Sequence, residues 1–202
     1  MKVAPAKLMT QGPLLPSIIS YTIPIILTSV LQLLFNAADL VVVGRFRGSL
    51  SVAAVSNTGA LVNLIVNLFI GLSVGAGVTV AHGIGSRDEK QISEAVHTIV
   101  PLALIGGIAI SVIGVILSHP LLVLMGTPEN TLPLSALYMK IYFAGITGLL
   151  FYNMGAAVLR SVGDSRRPFQ FLVVSAVINS VLDLVFVVVF RMGVAGVALA
   201  TI

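Results

Sequence analysis

The 202-residue sequence contains no cysteine, and only 9% of its residues are charged. The absence of cysteine excludes disulfide frameworks, thiolate nucleophiles and thiolate metal sites. The shortage of charge is as informative, because a soluble domain carries about 25% charged residues. The histidines, His82, His97 and His119, are scattered rather than grouped at metal-ligand spacing, so each reads as an interfacial or packing residue. There is no Walker A glycine-lysine pair, which excludes an ATP-driven motor encoded in this chain. The net charge of +4 is dispersed between hydrophobic runs. It builds no basic face, and no nucleic-acid partner is expected.

What is present is apolar: 57% of the residues are hydrophobic and the mean hydropathy is +1.11. The long runs lack strict alternation, so they read as membrane-spanning helices rather than barrel strands. Each crossing needs about 20 residues. The sequence therefore predicts an all-α integral membrane protein with five transmembrane helices and the start of a sixth. The expected spans are residues 14–43, 52–81, 95–117, 134–159 and 169–190, with 192–202 incomplete. The first run is too long for a signal-peptide core and reads as a retained span. Residues 1–13 read as a cytoplasmic segment, because Lys2, Lys7, Arg87, Lys90, Arg160, Arg166 and Arg167 share one side against Arg45, Arg47 and Arg191 on the other. Lys140, just inside the fourth span, can snorkel to the outer surface.

Two spans carry carboxylates. Ser175, Asn179 and Asp183 recur every four residues, and Thr28, Gln32, Asn36 and Asp39 follow at spacings of four, four and three. On helices these make polar stripes that should face protein or a wet cavity. A third polar face holds Ser56, Asn63 and Asn67. A charge at membrane depth costs on the order of 2.5–3.5 kcal/mol even on lenient scales. Counted from the outer ends of their spans, Asp39 lies roughly 6 Å deep, Asp183 roughly 10 Å and Thr201 roughly 13 Å. Tyr138 is placed similarly. These groups could meet in one layer. Low dielectric disfavours a bare carboxylate, so such a layer suits reversible binding of a proton, or of a sodium ion held by carboxyl, amide and hydroxyl oxygens. The alternative is that each Asp serves helix packing through neighbouring Asn and Ser.

Catalysis is not expected. Gly71 to Gly75 satisfies G-x-S-x-G around Ser73, but that motif needs a strand-to-helix elbow. The contexts Ala38-Asp39 and Leu182-Asp183 differ from those of intramembrane aspartyl proteases. Pro24 inside the first span favours a bend. Gly71 with Gly75, and Gly106 with Gly107, suggest close helix packing.

Four segments in order, Pro24 followed by N-A-A-D-L-V-V-V-G-R, then L-R-S-V-G-D-S-R-R-P, I-N-S-V-L-D and M-G-V-A-G-V-A-L-A-T-I, resemble the multidrug and toxic compound extrusion (MATE) family, in its DNA-damage-inducible-F-like prokaryotic branch. The resemblance implies the N-lobe of a twelve-helix, two-lobe transporter of the prokaryotic plasma (inner) membrane, with the C-terminal lobe missing. It implies secondary efflux of cationic amphipathic compounds in antiport with H+ or Na+, and no cofactor beyond the coupling ion. It places a cation-coupling site, and any Na+, at Asp39, Asn179, Asp183 and Thr201. Tyr138 and Gln32 fall on lobe-lining positions, joined by Asn36, Asn63 and Asn67 as cavity-lining expectations, and Pro24 falls on a hinge. Family members run to roughly twice this length, so the sequence is expected to be a truncated lobe. The alternatives are a flippase for lipid-linked precursors, or a non-transporting membrane scaffold subunit. A flippase for anionic head groups calls for buried basic residues, and only Lys140 lies within a span.

Overall fold

A computed structural model describes residues 14–202. The expected cytoplasmic segment with Lys2 and Lys7 lies outside the described residues. The elements are α1 (Leu14–Arg47), α2 (Ser49–Ser86), α3 (Glu89–Leu124), α4 (Leu132–Ser161), α5 (Arg166–Asp183), a π-helical segment (Leu184–Val189) and α6 (Val194–Thr201). Among the described residues, five helices are long and apolar enough to cross a membrane, α5 and the π segment together making the fifth.

The helices outrun the expected spans. α2 has 38 residues, about 57 Å at 1.5 Å per residue, against a hydrocarbon core of about 30 Å. Much of what reads as a polar loop, residues 83–94, is therefore helix. The chain turns only at Arg87, whose left-handed backbone lets the last carbonyls of α2 be satisfied, and Asp88 caps α3 by accepting from Gln91 N at 3.0 Å. The connection expected from Ser118 is also shorter, because α3 runs through Pro120 to Leu124. A proline removes only its own N–H, and within a membrane bundle neighbouring groups make that tolerable.

α4 is the mast of the lobe. It buries eleven residues, among them Met139, Phe143, Ile146 and Leu150, whereas α1 buries only Pro24, Asp39 and Val43. The reason for α4's close seat is the face of α3 opposite it. Gly107 and Gly114 lie two turns apart, and a Cβ at Gly114 would run into the Phe143 ring, while one at Gly107 would come within 2.9 Å of Thr147. Lipid supplies no hydrophobic drive between helices, so such close approach is the main source of attraction. The expected close packing at Gly71 and Gly75 is not found: a Cβ at either would meet nothing within 4 Å. Gly106 sits near the Phe69 ring at an ordinary 3.6 Å.

Long-range hydrogen bonds set the ends together. Ser165 Oγ donates to Tyr21 O, and Tyr21 OH to Arg160 O, joining the start of α1 to the α4–α5 turn. At the opposite end Ser135 Oγ donates to Ala54 O, and Arg47 Nη2 to Val187 O. Asp39 and Asp183 lie toward this second end.

Candidate functional site

The polar stripes do not stay buried along their lengths. Asn179 and Asp183 are buried, while Ser175 is exposed. On α1, Thr28 is half-buried, Gln32 and Asn36 are exposed, and Asp39 is buried. A spacing of four drifts by about 40° per step on a 3.6-residue helix, and α1 is covered only near Pro24 and near Asp39 and Val43. The stripe is thus read only where a neighbour covers it.

What is covered converges. Asp183 is 1% exposed, Asn179 4%, Asp39 5% and Tyr138 8%. The carboxyl groups of Asp39 and Asp183 lie within hydrogen-bonding reach of each other. Thr201 Oγ1 stands 2.8 Å from Val197 O and 3.4 Å from Asp39 Oδ2. Its single proton serves one acceptor at a time, and the shorter contact has the first claim. The remaining polar atoms are orphans: Asp39 Oδ1, Asp183 Oδ1, and both Oδ1 and Nδ2 of Asn179 are buried without a partner among the described residues. No lysine or arginine forms an ion pair with either carboxyl among the described residues. The arrangement thus offers carboxyl, amide and hydroxyl oxygens from α1, α5 and α6 to whatever carries positive charge between them.

Tyr138 closes the α4 side. Its ring stacks on Tyr142, with centroids 6.1 Å apart. Tyr142, also buried, lies outside the residues that the sequence singles out, although its four-residue spacing from Tyr138 is a signal for it. The π segment had no signal in its residues. It follows Asp183 directly, and its long-period bonding ends with Phe190 N donating to Val185 O and Met192 N to Phe186 O. One extra residue per turn shifts every later side chain relative to the stripe that ends at Asp183.

Gln32, Asn36, Asn63 and Asn67 are exposed on the outside of the lobe and are not part of this buried cluster. Pro24 is buried, and Thr28 Oγ1 donates to its carbonyl at 2.7 Å. A back-bonded threonine one turn after a proline adds to local bending. Ser73 sits within the unbroken α2 and donates to Phe69 O at 2.8 Å, so it forms no nucleophile elbow. Among the described residues, no group of three His, Cys, Asp or Glu is placed to hold a metal ion.

Residues 24–185 match the MatE family. Among curated relatives, the sequence is 34% identical over 96% of its length to "Probable multidrug resistance protein YpnP" of Bacillus subtilis (strain 168), covering 43% of that protein. It is 30% identical over 83% of its length to a protein named "FAD transporter" from Shewanella oneidensis, covering 38% of it. Among solved structures, the crystal structure of MATE in complex with MaD3S superposes with a TM-score of 0.88 at 30% identity, over 100% of this chain and 45% of that one. The chain therefore spans less than half the length of the relatives it matches.

Proposed function

The chain belongs to the MatE family of membrane transporters, and from that premise we propose that it forms one lobe of a secondary exporter of small cationic, amphipathic compounds, driven by H+ or Na+ antiport. The coupling site of this reading is Asp39, Asn179, Asp183 and Thr201. The single observation that carries it is the set of orphaned buried oxygens on Asp39, Asn179 and Asp183. A buried polar atom without a partner costs about 1–3 kcal/mol, and two bare carboxylates in contact at low dielectric repel strongly. A proton or sodium ion relieves both penalties at once.

Coupling follows from which helices the cation joins. It would bridge α1 to α5 and α6, and α1 is the least buried of the long helices. With the cation bound, the packed arrangement of α1 is favoured. With it lost, repulsion between Asp39 and Asp183 favours a different one, reached by bending at Pro24. A ligand shifts such an equilibrium only by its differential affinity for the two states, and the carboxyl pair supplies that difference. Gln32, Asn36, Asn63 and Asn67 would then line the cavity toward a second lobe, where exposed amides can meet substrate.

The proposed location is the prokaryotic plasma membrane, with the end that carries Arg87, Lys90, Arg160, Arg166 and Arg167 in the cytoplasm. Lys140 is exposed, so the spans offer no buried lysine to support the flippase alternative. The test is Asp183→Asn in the full-length protein that contains this sequence. The expected outcome is loss of gradient-driven efflux of a cationic dye to the background of empty vesicles, with the protein still folded. Unchanged efflux would overturn the site.

A further inference from the structure

At the end of the lobe opposite the Arg160–Arg167 turn, α1 finishes with Arg45 and Arg47 in its last turn, and the π segment gives way to Arg191. Arg47 is half-buried. One arm of its guanidinium, Nη2, donates to Val187 O at 3.3 Å, which ties α1 to the π segment. Its Nε is buried and has no partner among the described residues. The Arg47 Nε, Cδ and Cγ lie beside Gly193 at ordinary packing distance, and the Gly193 backbone at φ 64° and ψ −131° is one that only glycine adopts readily. Two residues earlier, Arg191 holds a left-handed backbone at φ 56°. Glycine or asparagine is the usual occupant of such a helix-end position, and Arg87 at the end of α2 has the same φ.

Arg47 and Arg191 line a cleft of about 320 Å³ together with Phe46, Val187 and Val188. Among the described residues, neither arginine has a carboxylate within 4.0 Å, and Glu129, between α3 and α4, is the only acid in the turns at this end of the lobe. The cleft therefore has two guanidinium groups on its polar side and an apolar wall in which Phe46 is 50% exposed and Val188 38%. Its place in the chain matters equally. Arg191 follows directly on the apolar run 169–190, and Arg47 follows Val41, Val42 and Val43 by four residues. The cleft sits where the apolar band ends, the depth of lipid phosphates.

We propose that this cleft binds a phosphate group, held by Arg47 and Arg191. Guanidinium forks match phosphate oxygens in pairs. The apolar wall beside them suits the glycerol and upper acyl chain of an anionic phospholipid, which is the favoured source over free phosphate. Occupancy would pin the end of α1 to the turn between the π segment and α6. The proposal is independent of the carboxyl pair, since none of its residues belongs to that cluster.

The test uses the full-length protein in an uncharged detergent. It is titrated with phosphatidylglycerol in one arm and inorganic phosphate in the other, with thermal stability and native mass spectrometry as readouts. Saturable stabilisation is expected, with affinity falling roughly tenfold in Arg191→Gln, the value of one charged hydrogen-bond pair. Arg45→Gln, outside the cleft, should bind as the parent does. Arg191 is exposed, so its replacement leaves folding intact, whereas Arg47→Gln also removes the bond to Val187 O and serves only as a second reading. Arg191-dependent stabilisation by the lipid alone, or by both probes, supports the site, and the two arms identify its source. Stabilisation by neither probe, or by both equally in parent and Arg191→Gln, would overturn it.

Discussion

The two halves of this lobe differ in how fully their buried polar groups are satisfied. On α2, α3 and α4, the buried hydroxyls are answered by carbonyls: Thr58 by Val55, Ser73 by Phe69, Ser118 by Gly114, and Ser135 by Ala54 across helices. Ser51 and Thr131, at the starts of α2 and α4, find Arg47 O and Pro128 O. On α1 and α5, by contrast, Asp39, Arg47, Asn179 and Asp183 all keep at least one buried atom without a partner. Native interiors leave few such atoms, and here all of those found among the described residues fall in the half that carries the acids. One half is arranged for stability, and the other holds unmet polar demand that a ligand can satisfy.

The largest effects on stability should therefore come from the first half and leave coupling alone. Phe143 is fully buried and fills the groove opposite Gly114. Phe143→Ala should cost about 3 kcal/mol, and Gly114→Ala, which pushes a Cβ into that ring, about 2 kcal/mol. Thermal unfolding in detergent measures both. The protein that remains folded should show the parent's ion dependence of efflux. A change in ion dependence without loss of stability would erase the distinction between the halves.

A smaller effect of opposite sign is expected from the second half. Asp39→Asn with Asp183→Asn removes the carboxyl contact and should raise stability by about 1 kcal/mol, as replacement of strained buried charge often does. Efflux should be lost in either single variant and be no worse in the double, because residues acting as one unit are not additive. Two independent partial losses that multiply would show that the acids do not form one site.

How far the sequence foreshadowed this division depends on the residue. Asp39, Asn179 and Asp183 stand out from charge in an apolar run and from a helical repeat, and counting residues from span ends places them at similar depth. Depth counting also brings Thr201 near their layer, and family resemblance adds its role in the site. Gln32, Asn36 and Ser175 share the stripes but not the burial, because helix periodicity says which residues share a face and nothing about how much of that face a neighbour covers. Composition reads residues 83–94 and 118–133 as connections, yet α2 and α3 run into both, because the helices project beyond the apolar band. The π segment, which Arg47 Nη2 contacts at Val187 O, is not foreshadowed by its valine-rich run.

The smallest expected effect tests what the outer face of α2 is for. A Cβ at Gly75 meets nothing within 4 Å, so Gly75→Ala changes no packing inside this lobe. Alanine is the better helix former by roughly 0.5–1 kcal/mol, and unfolding of the lobe should shift upward by no more than that. The contrast with Gly114→Ala is then one of sign for the same added methyl group. The full-length protein adds a second measurement. If the small-residue face of α2, with Gly71, Gly75 and the exposed Asn67, meets a second lobe during transport, Gly75→Ala should slow efflux while leaving unfolding unperturbed. A destabilised full-length protein would instead mean that the face is packed in the resting state, and that the small residues serve a fixed contact rather than a moving one.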